Sequence, residues 1–308
     1  MKYYPFLLLL ICFCSCSYDY DVGDSRIQEK DYLIVNSLLN PNRPISIYFY
    51  RTQQTDTGYI CLEVENLSVS LKEDNKVIFE GLTPSPVLTL DHYPKTGSTY
   101  SISVNDTDGT EVYATTRIPE AISCVADMSF GDSKYAWPYY LAYLNEFPDT
   151  FDERVTLWVT AYKVFESAEF IQYNELYANN LLVDNVNRNE GMEVLNPTVG
   201  SLYYDGFLRV KNRNLTELNE LIFTPAYAHY GEYRPDSEQQ GIRIKLTTAS
   251  PEYDQYCTSL FKQKAMIIYE DDISAIVYQP TQVYSNVHNG LGIFAGVNEI
   301  DYYFSLPE

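Results

Sequence analysis

Leu67-Ser-Val-Ser-Leu-Lys72 alternates apolar and polar residues, breaks at Glu73-Asp-Asn-Lys76 and resumes as Val77-Ile-Phe79. Successive side chains of a strand point to opposite faces, so this spacing buries Leu67, Val69 and Leu71 and leaves Ser68, Ser70 and Lys72 outside. The Asp-Asn pair between the two runs is turn chemistry, which makes the stretch a β-hairpin. Working outward, the pattern recurs. Tyr32–Val35 leads into a turn-rich break at Asn40-Pro-Asn-Arg-Pro44, after which Ile45, Ile47 and Phe49 alternate with Ser46, Tyr48 and Tyr50. Tyr100, Ile102 and Val104 alternate with Ser101, Ser103 and Asn105, turn at Asp106-Thr-Asp-Gly109 and return over Glu111–Thr116. Short alternating strands with a turn every ~8–12 residues are the signature of an antiparallel sandwich. Residues 31–118 are therefore expected to form a self-contained immunoglobulin-like β-sandwich.

The remaining chain, 119–308, is less regular. Tyrosine is abundant, at 30 of 308 residues, which leans the whole sequence towards β-structure. Strands are expected at Tyr139–Leu144, Val155–Val164, Gly206–Val210, Ile242–Leu246, Ala275–Tyr278 and Gly292–Ala295. One helix, near 250–262, is well marked. Ser250 is a good N-cap, Pro251 suits the first helical position, and Glu252 and Asp254 complement the helix dipole. Tyr253, Tyr256, Cys257, Leu260 and Phe261 then make one apolar stripe, which sets Cys257 against a core. A second helix is expected over 167–177. The fold class is thus mainly β: a sandwich followed by an antiparallel β-rich domain with one or two covering helices.

The N-terminus carries an export signal. Lys2 precedes the unbroken apolar run Phe6–Phe13, too short for a membrane-spanning helix of about 20 residues and suited to a secretory signal. Phe13-Cys-Ser-Cys16 is similar to a bacterial lipobox, although Phe13 stands where an aliphatic residue is usual. Residues 1–15 are read as a lipoprotein signal peptide and Cys16 as the acylated anchor, since two or more acyl chains hold a protein stably on a membrane. The alternative is an ordinary signal peptide with chance cysteines. Residues 16–30, opening Cys-Ser-Tyr-Asp-Tyr-Asp, form an acidic tether.

Charge narrows the partners. The net charge of −21 becomes −22 once Lys2 leaves with the leader. Nucleic acid and anionic lipid both attract basic surfaces, so neither suits this chain. Cys61, Cys124 and Cys257 remain after the anchor; three thiols allow one disulfide at most, and no pair has metal-knuckle spacing. His92, His229 and His288 form no metal motif. Gly131-Asp-Ser133 lacks the context of a nucleophile motif, and the same tripeptide occurs at Gly23-Asp-Ser25 in the tether. No catalytic residue, metal site or cofactor loop is assigned. Tyr227, Tyr230 and Tyr233, in a Gly- and Pro-bounded segment, together with Trp137, Tyr139 and Tyr140, are the candidate ligand-binding aromatics. Tyrosine offers stacking area at low entropic cost, although in a chain this rich in tyrosine ordinary half-buried β positions are the commoner reason for such residues.

Four stretches carry a family resemblance. Ser285-Asn-Val-His-Asn-Gly-Leu-Gly-Ile-Phe-Ala-Gly296 looks like the closing N-x-x-x-G-x-G-x-F segment of a Bacteroidota lipoprotein family, the domain of unknown function DUF4249. Val35-Asn-Ser-Leu-Leu-Asn-Pro-Asn-Arg-Pro-Ile45 resembles its opening strand and turn, and Gly97-Ser-Thr-Tyr100 and Thr116-Arg-Ile-Pro119 resemble its middle. The resemblance implies an outer-membrane setting, facing the cell exterior, like that of lipoproteins accompanying TonB-dependent transporters. It supplies no catalytic residues. The expected function is a surface-exposed, lipid-anchored accessory binding protein that serves such a transporter in nutrient capture, and not an enzyme. The alternatives are a structural or adhesive surface lipoprotein, and a hydrolase acting on surface glycan or peptide.

Overall fold

The 67–79 hairpin forms as its spacing requires. Strands β4 (Leu67–Glu73) and β5 (Lys76–Thr83) pair antiparallel. Asp74 and Asn75 between them have φ of 47° and 67°, the double left-handed turn that matches the twist of two tightly linked strands. The computed structural model describes residues 31–55, 58–107, 109–131, 139–148, 154–165, 169–170, 177–178, 183–184, 207–211, 220–224, 239–268 and 282–305.

The chain is mainly β. β4 and β5 join β7 (Thr99–Asn105) and β8 (Glu111–Arg117) in a four-stranded sheet ordered β5-β4-β7-β8. Facing it are β1 (Leu33–Leu39), β2 (Ile45–Thr55), β3 (Gly58–Glu63) and β6 (Val87–Leu90). Val35, Phe49, Leu71, Val104 and Phe294 are buried in the core between these layers. Of these, Phe294 lies far outside the first 118 residues. It belongs to the last strand, β18 (Leu291–Ser305), whose first six residues pair parallel with Ile34–Leu39. Residues 31–118 thus supply eight strands of this sandwich, and the end of the chain supplies a ninth.

A second sandwich follows. One layer holds β9 (Val125–Gly131), β10 (Tyr139–Asn145), β13 (Tyr177–Ala178) and β16 (Glu220–Thr224). The other holds β11 (Thr156–Phe165), β12 (Glu169–Phe170), β14 (Val183–Asp184), β15 (Phe207–Lys211) and β17 (Gln239–Ala249). Leu144 and Phe223 from the first layer meet Leu157, Val159 and Ile244 from the second. β17 then pairs antiparallel with the second part of β18, from Ala249↔Val297 to Gly241↔Ser305. One strand of 15 residues therefore serves both sandwiches.

The predicted helix is α1, Pro251–Ile268, longer than the 250–262 its signals marked. Ser250 caps it: its Oγ accepts from Tyr253 N at 3.4 Å, and its carbonyl from Asp254 N at 3.0 Å. Phe261, Tyr253 and Cys257 pack on Trp158 and Ala249, covering the outer face of the β11–β17 layer. Of the second helix expected over 167–177, residues 167–168 and 171–176 lie outside the described residues. Its described residues are strand, because Glu169–Phe170 pairs with β11 and Tyr177–Ala178 with β16. The strand expected at 275–278 lies outside the described residues. Among the described residues no helix is long and apolar enough to cross a membrane. Cys61, Cys124 and Cys257 are free thiols.

β18 approaches its neighbours too closely for side chains at two positions. Gly292 has φ +113°, and a Cβ there would run into the Val35 carbonyl; one at Gly296 would meet the Arg117 carbonyl. A substitution at a left-handed position costs more than the small entropic gain from removing glycine. Gly292→Ala is expected to destabilise the fold by more than about 1 kcal/mol. Both sandwiches should unfold together at the lower temperature, as read by calorimetry; a lowered first transition with an unmoved second would separate them.

Candidate functional site

Three of the four stretches that carry the family resemblance meet at β18, and the fourth, Gly97–Tyr100, bonds Ile118 of the third. From the opening segment, Asn36 Oδ1 accepts from Ile293 N at 3.1 Å, Asn40 Nδ2 donates to Glu299 Oε2 at 2.6 Å, and Asn42 Nδ2 donates to the Glu299 carbonyl at 2.8 Å. From the closing segment, the Asn286 amide stands in for a neighbouring strand. It donates to the Phe294 carbonyl at 2.7 Å and accepts from Phe294 N at 2.9 Å, satisfying an edge that β1 does not cover. From the middle, Thr116 Oγ1 accepts from Gly296 N at 3.0 Å, and Asn298 Nδ2 donates to the Pro119 carbonyl at 3.1 Å. Gly97 N bonds the Ile118 carbonyl at 2.9 Å. These residues build the joint between the sandwiches.

A cleft opens on the rim of that joint. Arg117, Pro119, Arg154, Ser250, Pro251 and Glu252 line a volume of about 160 Å³. β8 delivers Arg117, whose Nε donates to the Gly97 carbonyl at 2.9 Å. The first turn of α1 delivers Glu252, whose Oε2 accepts from Thr116 Oγ1 at 3.0 Å. The helix start is fixed from below: Ser250 N donates to the Gly296 carbonyl at 3.0 Å. One turn on, buried Asp254 receives Arg209 Nε at 2.8 Å and Trp158 Nε1 at 2.9 Å, with Arg209 Nη2 on its second oxygen. A buried ion pair keeps its desolvated charges only with such full satisfaction, so Asp254 clamps α1 to the sheet. Two guanidinium groups beside one carboxylate can hold a small anionic or zwitterionic group.

The family described as "Domain of unknown function (DUF4249)" matches residues 17–302. The chain belongs to this family. No curated protein matches this DUF4249 chain. Among solved structures it has a likeness to the collagen adhesin (CNA) from S. aureus, at 8% identity, covering 91% of this chain and 97% of that one. The TM-score is 0.19, too low to carry an argument.

Tyr227, Tyr230, Tyr233 and Trp137 lie outside the described residues, as does Cys16. Tyr139 and Tyr140 are strand residues of β10, opposite Gly131 and Phe130 of β9. Asp106–Gly109 is a hairpin turn between β7 and β8, with Gly109 N bonded to the Asp106 carbonyl at 3.1 Å. Burial pushes the Cys124 thiol up to about 11 and the Cys257 thiol up to about 12. Among the described residues no group of His, Cys, Asp and Glu is arranged to hold a metal ion.

A polar cluster gathers on Glu73 in the first sandwich. Glu73, 8% exposed, gathers Lys95 Nζ at 2.5 Å, Tyr100 Oη at 2.8 Å and His92 Nε2 at 2.6 Å. Tyr100 is fully buried and its phenol is pushed well above the ordinary range, mainly by burial, so it is a poor nucleophile. The cluster ties the segment before β7 to the end of β4. Burial alone would raise the Glu73 carboxyl, but the bonds from Lys95, Tyr100 and His92 prevail and hold it below the ordinary 4.5. A carboxyl lowered on folding stabilises the protein above its unfolded pKa, and loses that contribution as pH falls through the folded one. Stability is therefore expected to decline in acid below about pH 4.5. Glu73→Gln should be less stable at neutral pH and lose less on acidification, as followed by denaturant titration at several pH values. Parallel acid profiles for variant and parent would contradict this.

Proposed function

We propose that this DUF4249 protein is a lipid-anchored binding protein on the outer face of an outer membrane, serving a TonB-dependent transporter. The observation that carries the reading is the cleft at the sandwich joint. It is concave, its walls come from β8, the segment before β11 and the start of α1, and its guanidinium groups suit a small ligand with a carboxylate or phosphate. Two further points support it. The family match begins at residue 17, directly after the anchor candidate Cys16. The acidic chain is unsuited to nucleic acid or to electrostatic adhesion on anionic lipid.

A structural or adhesive role is the second reading. It is favoured by the single strand that runs unbroken from one sandwich into the other, which suits a spacer. The non-enzyme reading is supported by the polar clusters at Glu73 and Asp254, which hold elements together among the described residues.

Cys16→Ala tests the anchoring. The parent is expected in the detergent phase and to be cut by protease added to intact cells, with the variant soluble or unprocessed. Unchanged partition of the variant would overturn the lipid anchor. Co-purification from solubilised membranes is expected to recover a transporter with the parent and not with Cys16→Ala. An anchored protein that recovers none would leave the adhesive reading standing in place of the accessory one.

A further inference from the structure

Three charged side chains share the cleft at the sandwich joint without neutralising one another. Arg117, Arg154 and Glu252 border the same volume of about 160 Å³. Among the described residues no ion pair joins Glu252 to either arginine. Thr116 Oγ1 donates to Glu252 Oε2 at 3.0 Å, and Oε1 takes no hydrogen bond among the described residues. The carboxylate is thereby held in place and half satisfied. Pro119, Val155 and Pro251 supply an apolar part of the wall.

A ligand of one charge leaves part of this cleft in conflict. A plain anion drawn to the guanidinium groups meets the Glu252 carboxylate. A plain cation drawn to Glu252 meets two guanidinium groups, and like charges in one small cleft repel. The chain as a whole sharpens the choice. At −21 it repels anions on approach, whereas a ligand of zero net charge crosses that field at no net cost.

We propose, resting on the ligand-binding reading of this cleft, that it takes a free α-amino acid with an apolar side chain. The carboxylate lies with Arg117 and Arg154, whose planar forks of donors match it. The ammonium donates to Glu252, and the side chain lies against Pro119 and Pro251. Glu252 is then the residue that sets specificity. A plain carboxylic acid strips water from Glu252 and returns no donor, which costs affinity.

Leucine, isocaproate and isoamylamine carry one side chain with both charged groups, the carboxylate alone and the ammonium alone. Titration of each into the purified chain, followed by ligand-observed NMR, tests the assignment. Leucine is expected to bind about tenfold or more tightly than either analogue, since each forfeits a charge-assisted contact. Glu252→Gln keeps the oxygen that Thr116 bonds, and should lower leucine to the affinity of isocaproate. Arg154→Gln, at an exposed side chain, should weaken leucine and isocaproate alike at unchanged thermal stability. If isocaproate binds the parent as tightly as leucine, or Glu252→Gln leaves leucine unchanged, the amino-acid assignment falls and a plain anion site remains. Tighter binding of glycerophosphoethanolamine than of leucine would give the cleft to a lipid head group, and overturn the assignment too. If leucine, isocaproate and inorganic phosphate all fail to bind the folded parent, the ligand-binding reading falls with it.

Discussion

Parallel pairing of β1 with the start of β18 joins residues about 257 apart, as the Asn36–Ile293 bond measures. Parallel neighbours need a crossover connection, and here the crossover carries β2 to β17 and α1, including the whole second sandwich. Closing so long a loop costs entropy before any contact rewards it. The contacts that reward it are concentrated at one place. Phe294 fills the first core, Asn286 completes the strand edge, and Val297 onward serves the second sheet. Neither sandwich has its full complement of strands until β18 is placed.

This dependence accounts for where the family signature lies. Asn36, Thr116, Asn286, Gly292 and Phe294 come from distant parts of the chain, yet each contacts or belongs to the same strand. Their chemistry is that of fitting and bonding: amides that replace a missing neighbour, glycines that allow close approach, an aromatic ring in a core. Among the described residues, the rim of the joint, where Arg117 and Arg154 stand, and the edge at β3 are exposed and take no part in this bonding. A scaffold fixed at the joint leaves such rims open to vary, as loops and edges generally do.

Alternation made β2, β4, β7 and β8 legible, because each has one buried and one exposed face. β3 offered no such cue, being exposed on both faces at Tyr59–Glu63. The strand expected at Gly292–Ala295 runs on to Ser305, and the reason it was unreadable is specific. Gly296, Asn298, Glu299 and Asp301 look like turn residues in isolation. Asn298 is nonetheless buried, because Pro119 and Thr96 accept its amide protons, and Glu299 accepts from Asn40. Those partners lie some two hundred residues away in sequence. Asp254 was legible as a helix-terminal charge, but its role as clamp depends on Arg209, 45 positions earlier. Glu73 read as a turn residue for the same reason, since Lys95 and Tyr100 reach it only in the folded sandwich.

Hydrogen exchange under native conditions, resolved along β18, tests this dependence most directly. If one strand locks both sandwiches, the amides of 291–296 and 297–305 should exchange only through global unfolding, with the same free energy and the same denaturant dependence as the core amides of β4 and β11. If instead 297–305 opens with β11 while 291–296 remains protected with β4, or the reverse, the sandwiches unfold independently and the shared strand is not what holds the fold together.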